Sequence, residues 1–298
     1  MTELPPISNA RYRAFLETIT QLRPRLHRYC ARMTGSVLDG EDVVQESLFE
    51  AYRNLDRFDD SRPLKPWLFQ IAHNRCIDFL RKHAIRAAAE TASAIPDTVE
   101  LEDPINEDVN RAIEHVVISL PPKERACVLL KDVFDYSLEE VAEVVGSTLG
   151  GVKAALHRGR MKLAESPVQA RRHRAGNPQL QQMMQLYLDR FNNRDWDGVR
   201  KLITADARLT VVDAFIGRLT DAPYFSNYER LPWNWKLAAG EVDDEMVIFK
   251  LDRKAETWTP SSIIRVTVVG EHIDRITDYF HCPWIVDAAL SVSVAVSS

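Results

Sequence analysis

Several things are scarce or missing in this chain, and each absence narrows the reading. Cysteine is scarce. Cys30, Cys76, Cys127 and Cys282 are scattered, with no Cys-x-x-Cys pair and no histidine at metal-ligand spacing. That pattern argues against a disulfide framework or a zinc module and for small buried thiols. No apolar run approaches the roughly 20 residues that cross a bilayer. The opening MTELPPISNARYR lacks a basic n-region followed by an apolar h-region, so it is no secretory signal. The expectation is a cytoplasmic chain with no membrane partner. An overall basic excess is also lacking. The net charge of -5 argues against a generic nucleic-acid coat.

The average charge hides segments of opposite sign. Asp39–Asp60 holds eight acids against two bases, and Ala87–Leu120 holds eight against one. Leu149–Ala175 reverses this, with seven bases and one acid. Such a chain can bind nucleic acid through one short segment and a different partner through the acidic ones.

At 298 residues the chain has room for two or three domains. Residues 10–86 read as a helical bundle. Tyr12, Phe15, Ile19, Leu22 and Leu26 recur at helical spacing, and Val43, Val44, Leu48, Ala51 and Tyr52 mark a second helix. Leu68, Ile71, Ala72, Cys76 and Phe79 mark a third. Residues 87–108 are acidic, free of aromatics and carry Pro96 and Pro104, which reads as a linker. Residues 109–166 are helical again, with Pro122 placed to start a helix. A basic connector, 167–177, follows. Residues 178–290 differ in kind: a long amphipathic helix over Pro178–Arg194, then strand-like runs at Arg208–Val212, Met246–Leu251, Ile263–Val269 and Ile273–Tyr279. The fold class is therefore multidomain: two all-α domains followed by an α+β domain.

Ser137–Arg160 carries the sharpest local pattern. Ser137 and Glu140 form a capping box, Leu138, Val141, Ala142 and Val145 a short buried face, and Gly146 a left-handed stop. Thr148 can cap a second helix with Val152, Leu156 and Leu163 inward and Lys153, His157, Arg158 and Arg160 outward. Two short helices at a glycine turn, the second one basic, suit a major-groove reader. The plainer alternative is a helical hairpin with a solvated basic face.

Leu120-Pro-Pro-Lys-Glu-Arg125, Ser137-Leu-Glu-Glu-Val-Ala142, Gly146 and the run from Val152-Lys153 to Arg160 together resemble region 4 of the sigma-70 family. The resemblance implies binding to the -35 promoter element, through Thr148, Lys153, His157, Arg158 and Arg160, and to the polymerase β subunit. Gly151, Ala154 and Ala155 depart from the Thr and Ser-Arg common there, which leaves fewer donors for DNA. Asp39–Phe49 is acidic and amphipathic and resembles region 2.2, the helix that docks on the β′ clamp. Asp39, Asp42, Gln45, Glu46 and Phe49 are the implied polymerase contacts. Pro66–Lys82 is similar to the region 2.3–2.4 signature of extracytoplasmic-function sigma factors. It implies -10 recognition and melting by Asn74, Arg75, Asp78, Arg81 and Lys82. The loop Arg57–Lys65 would receive a flipped base. Trp67 and Phe69 could serve as stacking platforms but read better as core. Core RNA polymerase, through its β and β′ subunits, and promoter DNA are the implied partners; neither cofactor nor metal is implied.

Phe191–Asp197, Asp206–Val211 and Ile273–Tyr279 resemble SnoaL-like domains, cone-shaped α+β folds around an apolar pocket. The resemblance implies a C-terminal domain that controls the sigma regions in cis, either with a small-molecule ligand or purely intramolecularly. Asp213, Trp233, Trp235, Tyr279 and His281 are the candidate pocket residues. On paper Asp213, Tyr279 and His281 could form an isomerase-like constellation. The competing reading, in which Asp213 caps a turn and the aromatics fill the cone, is preferred, so no catalytic residue is expected.

Overall fold

The structure, a computed structural model, describes residues 10–59, 61–91, 117–165, 178–232 and 234–295. The chain divides into two compact units, Met1–Ala170 and Arg171–Ser298.

Among its described residues the first unit has helices and no strand. Helix α1 spans Ala10–Thr34, α2 Val37–Asn54 and α3 Leu64–Thr91. Tyr12, Phe15 and Leu26, part of the stripe read from sequence, are buried. Ser36 caps α2 by accepting from the Asp39 amide, which satisfies one of the orphan donors of its first turn. Gly40 lets α1 and α2 touch: a Cβ there would lie 2.6 Å from the Ala31 amide nitrogen. Helix α3 runs through Ala87–Thr91, so the first residues of the stretch read as linker continue a helix. The rest of it lies outside the described residues.

Helix α4, Pro122–Val128, carries its proline at the first turn and passes into a π turn at Leu129–Val133. Helices α5, Leu138–Val144, and α6, Leu149–Glu165, follow. The capping box forms in full between Ser137 and Glu140, and Gly146 takes φ +61°, the left-handed value that ends α5. Tyr29, Cys30, Val44, Phe69 and Cys76 from α1–α3 share one core with Cys127, Leu130, Phe134, Tyr136, Val141 and Val152. All four cysteines are free and buried, as their scatter suggested.

The second unit is α+β. Helix α7 spans Pro178–Asn192, α8 Trp196–Lys201, α9 Tyr224–Glu229 and α10 Trp284–Ala288. Seven strands are β1 Ile203–Val211, β2 Phe215–Arg218, β3 Trp235–Val242, β4 Glu245–Lys254, β5 Thr257–Val269, β6 His272–Asp278 and β7 Val292–Val294. Among the described residues they form one sheet in the order β2-β1-β6-β5-β4-β3-β7, parallel only between β1 and β6. Register shifts in β1/β6, β4/β5 and β5/β6 are the kind of irregularity that bends strands. Asp243 and Asp244, both at positive φ, make the β3–β4 turn. Met184, Tyr187, Leu188 and Phe191 of α7 pack in one core with Leu209, Leu237, Ile248, Ile264 and Ile276 of the sheet.

Candidate polymerase and nucleic-acid interface

The acidic face of α2 is a consequence of helical geometry. Val37, Leu38, Val43, Val44 and Ala51 turn inward. Positions 39, 42, 46 and 49, three or four residues apart, then share the opposite side. Asp42 and Glu46 are exposed, Asp39 and Gln45 half-buried, and Phe49 is 63% exposed. A large apolar ring left in water beside carboxylates suits a basic, partly apolar partner. Glu41, adjacent in sequence, belongs instead to the interior: it is buried and pairs with Arg23 beside His27. Burial holds the His27 pKa below its ordinary value against the opposing pull of Glu41.

On α3 the five candidate residues share one helix, but their cations are not equivalent. Asn74, Arg81 and Lys82 are exposed. Arg81 sits 2.5 Å from Asp78 as an i,i+3 pair. Arg75 is half-buried and reaches back to Glu50 of α2 at 2.6 Å, so it ties two helices together. Phe69 is fully buried, and Trp67 packs on Phe58 with centroids 4.5 Å apart, both as core rather than free stacking surfaces. His73, inside the same helix, hydrogen-bonds Tyr29 at 2.9 Å, and burial lowers its pKa to about 4.

Thr148 caps α6 by accepting from the Gly151 amide at 3.1 Å. Gly151 is suited to that turn: a Cβ there would come within 2.6 Å of the Ser147 hydroxyl. The outward bases of α6 fall into two sets. Arg158 and Lys162 both bind the Glu124 carboxylate at 2.8 Å. Those hydrogen bonds, Lys162 first, hold Glu124 below the ordinary carboxylate range. Arg160 binds Asp132 at 2.6 Å. These pairs pin α6 to α4 and its π turn. Lys153 and His157 are exposed and pair with no described residue. Together with Lys131, Leu138, Leu156 and Arg160 they line a cleft of about 280 Å³. Lys131 escaped the sequence reading because it lies one element ahead of the helix-turn-helix.

In the second unit the candidate pocket residues do not converge. Asp213 is exposed at φ +67° in the β1–β2 turn, and His281 is exposed. Trp235 and Tyr279 are buried; Trp233 lies outside the described residues. A more deeply buried carboxylate is Asp278, at the end of β6. Tyr224 and Tyr228 of α9 donate to its Oδ2 at 2.8 and 2.7 Å. Burial raises its pKa to about 6, against those two hydrogen bonds. This cluster was not legible in the sequence, because Asp278 and the two tyrosines are about 50 residues apart.

The Sigma-70 region 2 model matches residues 18–85, and the Sigma-70, region 4 model matches residues 110–163. The ECF RNA polymerase sigma factor SigW of Bacillus subtilis is 33% identical over 162 residues, covering 50% of this chain and 87% of SigW. SigG of Mycobacterium tuberculosis is 30% identical over 213 residues, 62% of this chain but only 58% of SigG. Among solved structures, the extracytoplasmic function sigma factor SigJ of Mycobacterium tuberculosis aligns over 88% of this chain and 95% of its own, at 21% identity and a TM-score of 0.36.

Proposed function

The chain belongs to the ECF RNA polymerase sigma factors, and from that premise we propose how its two units divide the work. As an alternative sigma factor it directs promoter-specific transcription initiation. The observation that carries the residue assignment is the pairing, in one chain, of an acidic α2 face bearing an exposed phenylalanine with a helix-turn-helix whose exposed Lys153 and His157, unlike Arg158 and Arg160, are in no ion pair with a described residue.

In this reading Asp39, Asp42, Gln45, Glu46 and Phe49 dock on the β′ clamp of core polymerase. Acidic side chains steer the encounter and Phe49 supplies the apolar anchor. Asn74, Arg81 and Lys82 bind the -10 element as it opens, two cations for phosphate and an amide for a base edge. Arg75 joins them only if it leaves Glu50. At the -35 element Lys153 and His157 face DNA directly, with Lys131 and Arg160 flanking them. Arg158 acts through Glu124, holding α6 in place. Thr148 presents the helix N-terminus, where orphan amides favour a phosphate.

The α+β unit is the regulatory part, acting in cis on the helical unit and serving no catalytic step. Its polar centre is Asp278 rather than Asp213, with Oδ2 already taken by two tyrosine hydroxyls. Mixing purified core polymerase with the chain and its α2 variants tests the assignment of the clamp face. Asp42→Lys with Glu46→Lys should abolish co-elution while leaving far-UV circular dichroism unchanged. Co-elution at native affinity would place polymerase binding elsewhere.

A further inference from the structure

Burial fixes which way α6 faces. Val152, Ala155, Leu156 and Gly159 are buried, and Gly159 lets α6 lie against α4: a Cβ there would come within 2.9 Å of a Val128 methyl. At about 3.6 residues per turn the opposite side carries Gly150, Lys153, Ala154, His157 and Arg158, with Leu149 at its edge one turn before Lys153. All six are exposed, Leu149 at 38%.

The polar groups near this face are mostly engaged. Arg158 is held by Glu124 at 2.8 Å and Arg160 by Asp132 at 2.6 Å. The Thr148 hydroxyl caps the helix through the Gly151 amide. Lys153 and His157 are in no ion pair with a described residue. The rest of the exposed surface in the first two turns is apolar, namely Leu149, Gly150 and Ala154. A Cβ added at Gly150 would meet nothing within 4 Å, so among the described residues no neighbour covers this end. A lone exposed leucine calls for no partner. Here it is the first residue of the reading helix, one turn from an unpaired cation.

In a helix-turn-helix the first turns of the second helix meet the base edges. The major groove distinguishes bases by donors, acceptors and one apolar mark, the 5-methyl of thymine. Lys153 suits O6 and N7 of guanine. The side chains of Leu149 and Ala154 make no hydrogen bonds. Set against a polar base edge they would strip water from it without replacing its hydrogen bonds; set against the methyl they lose nothing. The two positions are about 7.5 Å apart along the axis at about 1.5 Å per residue, roughly two base-pair steps of about 3.4 Å. Lys153 falls within that interval.

We propose that Leu149 and Ala154 are specificity-determining residues of the -35 reader, contacting thymine 5-methyl groups beside a guanine held by Lys153. This inference rests on the sigma-factor reading and concerns only which bases α6 selects. It requires thymine within about two base pairs of guanine in the -35 element.

Deoxyuridine tests this without disturbing base pairing, because it lacks only that methyl. Holoenzyme assembled from core polymerase and the full chain is titrated with promoter fragments taken from its own run-off start sites. The fragments carry either thymine or deoxyuridine throughout the -35 segment. Burying one methyl is worth about fourfold in affinity, so the substituted fragments should bind roughly four- to fifteenfold more weakly for one or two methyls. Leu149→Ser with Ala154→Ser should lose most of that difference with far-UV circular dichroism unchanged, since both side chains are exposed. Leu149→Met, which keeps an apolar side chain, should retain it. Equal affinity of the native holoenzyme for both kinds of fragment overturns the proposal. So does a penalty that persists in full in the double serine variant, its complete loss in Leu149→Met, or a set of aligned -35 elements without thymine. No promoter complex with either fragment would overturn the sigma-factor reading itself, and this inference with it.

Discussion

Gly40 shows how one residue couples the interior to the surface proposed to face polymerase. It sits on α2 between the acids at 39 and 42, yet its missing side chain is what lets α1 approach. Gly40→Ala would force a Cβ into the Ala31 backbone, an overpacking of the sort that costs about 1–3 kcal/mol. A lowered thermal midpoint of the helical unit, with weaker core binding as α2 tilts, is the expected result. Protonation gives two further single-residue tests with opposite signs. His73 is held at about pKa 4 against 6.5. Its folded form therefore takes up fewer protons than the unfolded chain, and the helical unit should lose stability as pH falls from 6.5 towards 4. Asp278 is raised to about 6 from 3.8. Its folded form binds more protons, so its contribution is fully present below 3.8 and is lost as pH rises through 6. Two pH units correspond to about 3 kcal/mol. Urea melts of Asp278→Asn against wild type at pH 4 and pH 7 check this: the wild type should lose ground relative to the variant at the higher pH. A constant difference would mean that Asp278 does not titrate in that window. Gly146 and the Ser137–Glu140 cap were legible in the sequence, because their partners lie within four positions. Glu41, Asp278 and Lys131 were not, since their environments are made by contacts between distant elements.

Among the elements, the longer helices were readable, but the short helices α8, α9 and α10 and the strands β2, β3 and β7 were not. Helices α1–α3 announce themselves by apolar spacing. Strand β3 does not: Ala238, Ala239 and Gly240 are poor strand formers. Gly240 is there because a Cβ would collide with the Ser293 carbonyl of β7, a close approach no local pattern reveals. Strand β2 is a short edge with Ile216 largely exposed, so it lacks an alternating buried face. On α3 the ion pair to Glu50 divides the cations by role. Alanine at Arg81 and Lys82 should reduce open-complex formation with little change in melting temperature. Arg75→Ala should also remove the tie to α2, although a pair this exposed contributes at most about 1 kcal/mol. Full permanganate reactivity of the -10 region with the Arg81 and Lys82 variant would remove these residues from melting. On α6, Lys153→Ala should weaken promoter binding with the fold intact. Arg158→Ala should instead loosen α6, visible as a lowered melting temperature.

At the scale of the whole molecule, the proposal assigns initiation to the helical unit and control in cis to the α+β unit. Truncation separates the roles. A chain ending at Asn177 keeps the basic connector and should change transcription substantially, upward if the α+β unit restrains the helical unit. A chain ending at Glu165 also loses Arg171, Arg172 and Arg174 and should be weaker than the longer truncation. Equal transcription by both truncations and the full chain would remove control in cis. The measurement that bears most directly on the central claim is run-off transcription by purified core polymerase on genomic fragments, with and without the chain. Discrete transcripts from a small set of start sites, seen only when the chain is present and lost with Asp42→Lys and Glu46→Lys, are the predicted result. Core polymerase giving the same transcripts with or without the chain would contradict it.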